Sequence, residues 1–214
     1  GGLKWTLLDG RARVNAAVFY NDVTDKQATV QLLVGGIPTS RFFNFGDAEV
    51  LGAEIELETQ LTERLFAQVG FGLLDTELKA DPTVTFASGP AFDVTPVDGN
   101  ELPGAPSFTI NGLVRYDIPT TNYGKFSLQT EFSYLDDQFF TLDNVERDAE
   151  EGYGLVNLRV LWESEDAKYY GQAFAENVGD NEYASYAFTL GGIDQRDIIW
   201  GRPRWLGIRA GVRF

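Results

Sequence analysis

Side chains of like character recur at every second position along almost the whole chain, and the stretches that carry this pattern are joined by links that alternate strictly between short and long. A period of two puts successive side chains on opposite faces of a strand. Phe126, Leu128, Thr130, Phe132 and Tyr134 share one face, with Ser127, Gln129, Glu131 and Ser133 on the other. The same grammar sets Leu65, Ala67, Val69, Phe71 and Leu73 against Phe66, Gln68, Gly70 and Gly72, and Ala53, Ile55 and Leu57 against Glu54, Glu56 and Glu58. It recurs in Val14 to Tyr20, Phe108 to Tyr116, Val156 to Trp162 and Leu206 to Phe214. About nine strands are predicted, and no segment shows a capped helical period.

The short links are polar turns of the hairpin kind at Asp9–Gly10, Leu61–Arg64, Pro119–Gly124 and Glu163–Lys168. The long ones lie near Leu32–Ser40, Asp75–Pro106, Asp136–Gly152 and Leu190–Arg202, and are predicted to be irregular. One link runs to about thirty residues, which argues against a compact soluble domain. Short turns at one end and long loops at the other are the normal arrangement of a transmembrane antiparallel β-barrel. A soluble β-sandwich writes the same alternation, so the period alone leaves both open. Segments such as Arg11 to Val30 outrun the five or six residues usual in globular strands. Tyr20, Tyr116, Tyr134 and Trp162 stand towards strand ends, where aromatic girdles belong. Both features favour the all-β membrane barrel.

Missing residue types remove whole chemistries. The 214 residues include no Cys and no His, which excludes disulfides, thiolate nucleophiles, a Ser-His-Asp triad and the usual zinc ligand sets. No catalysis and no cofactor are expected. An excess of 32 acidic over 17 basic residues argues against a nucleic-acid partner. No apolar run is long enough for a membrane helix, and no secretory leader opens the chain. There is no Met either, and the reading adopted is that residues 1–214 are the tail of a longer chain.

Energetics assign the faces. An arginine facing lipid at mid-membrane costs roughly 2 to 4 kcal/mol, so Arg209 is expected to face a wet lumen and Leu206, Ile208, Ala210, Val212 and Phe214 to face lipid. By the same parity Arg13, Glu54, Glu56, Glu58, Arg115, Glu131 and Arg159 are lumen-facing.

Several blocks go beyond alternation. "NFGDAEVLGAEIELETQL" (Asn44 to Leu61) resembles the N-x-G-x-A-x-x-x-G-x-E-x-E stretch of TonB-dependent outer-membrane receptor barrels, and "NAAVFYNDVTDKQ" resembles the strand and loop before it. "ELPGAPSFTINGLVRYD" is similar to the family's proline-marked start of the next descending strand, and "NVGDNEY" to its N-L-x-D-x-x-Y block with Val178 for leucine. "GRPRWLGIRAGVRF" resembles the final strand. The resemblance implies a receptor of roughly 22 strands, here represented by about nine C-terminal ones. It implies import of a scarce nutrient, often a small-molecule ligand such as a ferric siderophore, energised by the inner-membrane TonB complex. It further implies the outer membrane of a Gram-negative bacterium, contact with its lipid, and Phe214 as part of the signal read by the barrel-assembly machinery. The family's plug and TonB box have no counterpart in these residues, and nine strands cannot close a barrel of that size. A passive porin-like channel and a soluble β-sandwich binding module are the competing readings.

Three groups of side chains invite a site. Glu54, Glu56 and Glu58 lie about 7 Å apart on one face, where pairing with lumen arginines such as Arg13 is a plainer account than a glycosidase pair. "GFGLLD" lacks the third glycine and following helix of a nucleotide fingerprint. The acidic stretch "DDQFFTLDNVERDAEE" has oxygen donors for calcium but no EF-hand spacing, so no metal site is assigned. Phe139, Phe140, Tyr153, Tyr186 and Trp200 are the loop aromatics taken as ligand-binding candidates; packing between loops is their ordinary role.

Overall fold

A computed structural model describes the chain apart from residues 35–36, 82–84, 89–92, 120–121 and 191–194, with side chains described outside 29–41, 82–95, 120–121 and 190–194. Among the described residues the strands are, in order, β1 (Gly2–Leu7), β2 (Ala12–Val34), β3 (Ile37–Gln60), β4 (Leu65–Lys79), β5 (Thr85–Ser88), β6 (Asp93–Pro96), β7 (Phe108–Ile118), β8 (Lys125–Leu135), β9 (Gln138–Phe139), β10 (Ala149–Glu150), β11 (Tyr153–Glu163), β12 (Tyr169–Glu176), β13 (Ala184–Leu190), β14 (Gln195–Trp200) and β15 (Trp205–Val212). Nine of them form one sheet in the order β1-β2-β3-β4-β7-β8-β11-β12-β15. Every pairing is antiparallel between neighbours, a continuous meander.

Register carries the sequence parity across the whole sheet. Arg13 stands opposite Glu58, Glu58 opposite Gln68, Gln68 opposite Leu113, Leu113 opposite Glu131, and Glu131 opposite Asn157. Directly paired residues share a face. The other face runs Trp5, Val14, Leu57, Val69, Gly112, Phe132 and Val156 by the same pairings, a row without a polar side chain. Its side chains lie open: Leu206 is 71% and Ile208 87% exposed. Apolar surface left this bare marks a face made for another apolar phase.

Two expectations need correction. The link near Leu32–Ser40 is no irregular loop, because β2 and β3 stay paired out to Val34 opposite Ile37. The flanking segments are rich in β-branched and aromatic residues and sustain a ribbon beyond the end of β4; its tip at 35–36 lies outside the described residues, as do Thr120 and Thr121 of the Pro119–Gly124 turn. The other long links are not structureless either, since each contains a small two-stranded hairpin: β5–β6, β9–β10 and β13–β14.

The ribbon turns at a bulge between Val23 and Gln27. Asp25, at φ +56°, takes the left-handed conformation, and its N–H donates to Asp47 Oδ1 at 3.1 Å. Asn44 Nδ2 donates to Asp25 Oδ1 at 2.7 Å, while its own Oδ1 accepts from Gly46 N–H at 3.1 Å. Gly46 has φ +120°, and a Cβ there would lie 2.5 Å from the Lys79 carbonyl oxygen. The "NFGD" block is thus a device for fixing this bulge. Beside it Phe45, Ala48, Leu78, Ala80, Val97 and Leu142 form the main buried cluster, at the end of the sheet that carries the long links. Burying a Phe or Leu fully contributes about 1.5 to 3 kcal/mol, so this cluster anchors the links to the strands.

Candidate functional site

On the polar face the eight residues expected to be lumen-facing all share one side of the sheet, Arg209 joining through its pairing with Gln172. Some of them form pairs. Arg13 Nη1 lies 3.7 Å from Glu58 Oε2, and Asn15 Nδ2 donates to Glu56 at 3.3 Å. Arg115 sits 3.5 Å from Asp117 with its guanidinium 5.6 Å from the Phe66 ring centre. The best-shielded group is Arg159, which donates from Nε and Nη2 to the two oxygens of Glu131 at 3.0 and 3.1 Å, a fork-to-fork pairing. Gln129 Nε2 donates to the same carboxylate at 2.6 Å. Arg159 also lies 3.6 Å from Glu176, which in turn accepts from Arg202 Nη1 at 3.1 Å. This chain of alternating charge leads from the middle of the polar face to the long-link end.

At that end the aromatic candidates separate into two groups. Phe140 is 7% exposed, packed with Ala184, Ala187 and Ile198, and its ring centre is 5.7 Å from that of Tyr186. Tyr186 in turn lies 5.7 Å from Phe188 and keeps 42% of its surface. Phe139 lines an acidic cleft of about 750 Å³ with Tyr134, Asp136, Asp137, Glu146 and Arg196. In the second group Tyr153 stacks on Tyr183 at 4.4 Å and 19°. Trp200, 61% exposed, shares a cleft of about 640 Å³ with Tyr183, Asp180 and Pro203. Residues from two links, Asp136–Gly152 and the one between β12 and β15, thus meet in these groups.

Polar contacts hold these links in place. Asp148 is 1% exposed, and its carboxylate accepts from Thr189 N–H at 2.9 Å and Thr189 Oγ1 at 2.8 Å, with Arg196 Nε at 3.9 Å. Asp136 accepts from Ser107 Oγ at 2.8 Å, and that bond holds its carboxyl below the ordinary carboxylate range. Asn177, buried at φ +47°, donates from Nδ2 to the carbonyls of Asn181 at 2.9 Å and Arg202 at 3.1 Å. Asp180 accepts from the backbone N–H and from Nη2 of Arg204, both at 2.9 Å, which keeps its pKa low. "NVGDNEY" and "GRPR" are therefore two halves of one brace joining the ends of β12 and β15. Sequence reasoning holds Asn177 only as part of a family block and Asp148 only as one acid of a stretch, and misses their burial, since an acid or amide destined for burial looks there like its solvated neighbours.

A family model for the TonB-dependent receptor-like β-barrel matches residues 1–191. The chain belongs to the TonB-dependent receptor family. The family is one of receptors, not of enzymes. The chain is 28% identical over 137 residues, 63% of its length, to a protein of Acinetobacter baumannii described as a probable TonB-dependent siderophore receptor, PiuA, of which it covers 17%. Its fold matches the crystal structure of the ferric yersiniabactin uptake receptor FyuA of Yersinia pestis with a TM-score of 0.77 at 18% identity, over all of this chain and 29% of that one. It matches the copper transporter OprC with a TM-score of 0.71 at 15% identity, over all of this chain and 30% of that one. The chain thus spans less than a third of the length of each of these proteins.

Proposed function

We propose that residues 1–214 are the C-terminal portion of a receptor barrel in the outer membrane of a Gram-negative bacterium, importing a ferric siderophore with energy delivered through TonB. The observation that carries the reading is the division of the nine-stranded sheet into one continuous apolar face and one polar, ion-paired face. Lipid covers the first and a water-filled lumen the second. The two outer strands, β1 and β15, pair with further strands of the closed barrel, because an open edge does not occur in hydrocarbon. The short turns then lie in the periplasm and the braced links face outward.

In this arrangement Trp200, Tyr186, Phe139 and Tyr153 are the ligand-facing aromatics, and Phe140 packs behind them. Phe214, fully exposed one residue beyond the bond from Arg213 N–H to the Lys168 carbonyl, is the assembly signal. That PiuA is described as a probable siderophore receptor and FyuA as a ferric yersiniabactin uptake receptor supports the siderophore as ligand. The test is uptake of radiolabelled iron as ferric siderophores by iron-starved cells carrying the intact receptor, its Trp200→Ala variant, or neither. Import that needs the receptor and TonB, and weakens at least severalfold in the variant at equal surface abundance, supports the reading. Import independent of TonB would identify a passive channel and sink it.

A further inference from the structure

Within one loop, two buried carboxylates are treated in opposite ways. Asp148 is met by two donors from Thr189 and by Arg196. Asp143 is 3% exposed, yet neither Oδ1 nor Oδ2 has a hydrogen-bond partner, and the buried Oγ1 of Thr141, two residues away, has none either. The surrounding turn is well made. Asn144 N–H donates to the Thr141 carbonyl at 3.3 Å, Asn100 Nδ2 donates to the Leu142 carbonyl at 2.7 Å, and Glu101 N–H donates to Asn144 Oδ1 at 2.7 Å. Asn144 Nδ2 returns a bond to the Glu101 carbonyl at 3.1 Å. A carboxylate enclosed in so tightly fastened a turn is strongly disfavoured without a counter-charge.

We infer that Thr141 and Asp143 hold a hard cation of the calcium type. Their free atoms are oxygens, the donors such cations take, and the chain offers no sulfur or imidazole ligand. Calcium accepts six to eight oxygens in flexible geometry, main-chain carbonyls included, whereas magnesium keeps its own waters and suits an enclosed oxygen less well. Among the described residues no cluster of three acidic side chains surrounds the place, so a single carboxylate supplies the charge. Binding is accordingly weak, about 10⁻⁴ to 10⁻³ M, the range of extracellular calcium modules. The ion would lock the Asp136–Gly152 link against the residues around Asn100.

The test uses the intact receptor in detergent, stripped with EDTA and returned to about 10 mM calcium or magnesium chloride, with limited proteolysis read by mass spectrometry across residues 136–151. Cleavage through the opened loop is expected to slow roughly ten- to a hundredfold in calcium, as that excess over the dissociation constant dictates, and less in magnesium. Asp143→Asn should abolish the calcium response, and Thr141→Val should weaken it. A wild-type loop indifferent to calcium would overturn the inference, leaving a bound water as the answer. Equal calcium protection in Asp143→Asn would place the ion elsewhere. If Asp143→Asn fails to assemble, the wild-type response and Thr141→Val decide. No transport is measured, so the outcome is independent of the import reading.

Discussion

Changing Val69 and its neighbour Gln68 to arginine tests the assignment of faces with a single added charge. Val69 stands on the apolar face opposite Leu57 and Gly112, and Gln68 on the polar face opposite Glu58 and Leu113. Val69 is four residues beyond Leu65, where β4 leaves its short turn, which is about 13 Å along the strand and roughly 10 Å in height at the usual tilt. The apolar band of such a barrel is about 25 Å tall, so Val69 lies near its middle. An arginine there costs about 2 to 4 kcal/mol, a loss of roughly 30- to 700-fold in the folding equilibrium. At Gln68 the added guanidinium gains Glu58 as a cross-strand neighbour, worth about 0.2 to 1 kcal/mol. The assay is refolding of the intact receptor into lipid vesicles, scored by heat-modifiable mobility on a gel. Val69→Arg should leave little folded product and Gln68→Arg should match the parent. Equal yields, or the reverse order, would refute the face assignment.

Gly46→Ala should lower stability by about 1 to 3 kcal/mol, because the backbone is left-handed and the new Cβ meets the Lys79 carbonyl; the readout is a lower thermal midpoint of the purified receptor. Arg159→Met should destabilise by about 1 kcal/mol, discounted for the partial exposure of its ion pair. The Arg159→Met, Glu131→Gln double variant should lose less than the sum of the singles, a coupling that equilibrium unfolding of the four proteins checks. Asp180 has a depressed pKa when folded, so its contribution is present above the unfolded carboxylate pKa and is lost as pH falls through the lower folded value. Hydrogen-exchange protection over residues 177–204, taken relative to the intrinsic exchange rate at each pH, should therefore fall on acidification into that range in the parent and change less in Asp180→Asn.

The faces are legible in the sequence because a period of two survives every pairing in the sheet. Glu58 and Arg13 meet where alternation alone puts them. The Asn44, Gly46 and Asp47 block was recognisable as a pattern, but its purpose depends on Asp25 and Lys79, which are distant in the chain and close only after the bulge forms. Burial of Phe140 was illegible for a similar reason. Its neighbours Ala184, Ala187 and Ile198 arrive from another link, and nothing local distinguishes it from Phe139. The hairpins inside the long links were missed because strands of two to seven residues carry too few repeats of the pattern to stand out.

The long links are sewn to one another as well as to the strands: Gly104 N–H to the Phe139 carbonyl, Asn144 Nδ2 to the Glu101 carbonyl, and Thr189 N–H to Asp148. Loops fastened in this way drift as an ensemble. One of them cannot be exchanged alone between relatives, since the stitches on either side would be cut; the whole crown has to be transplanted together.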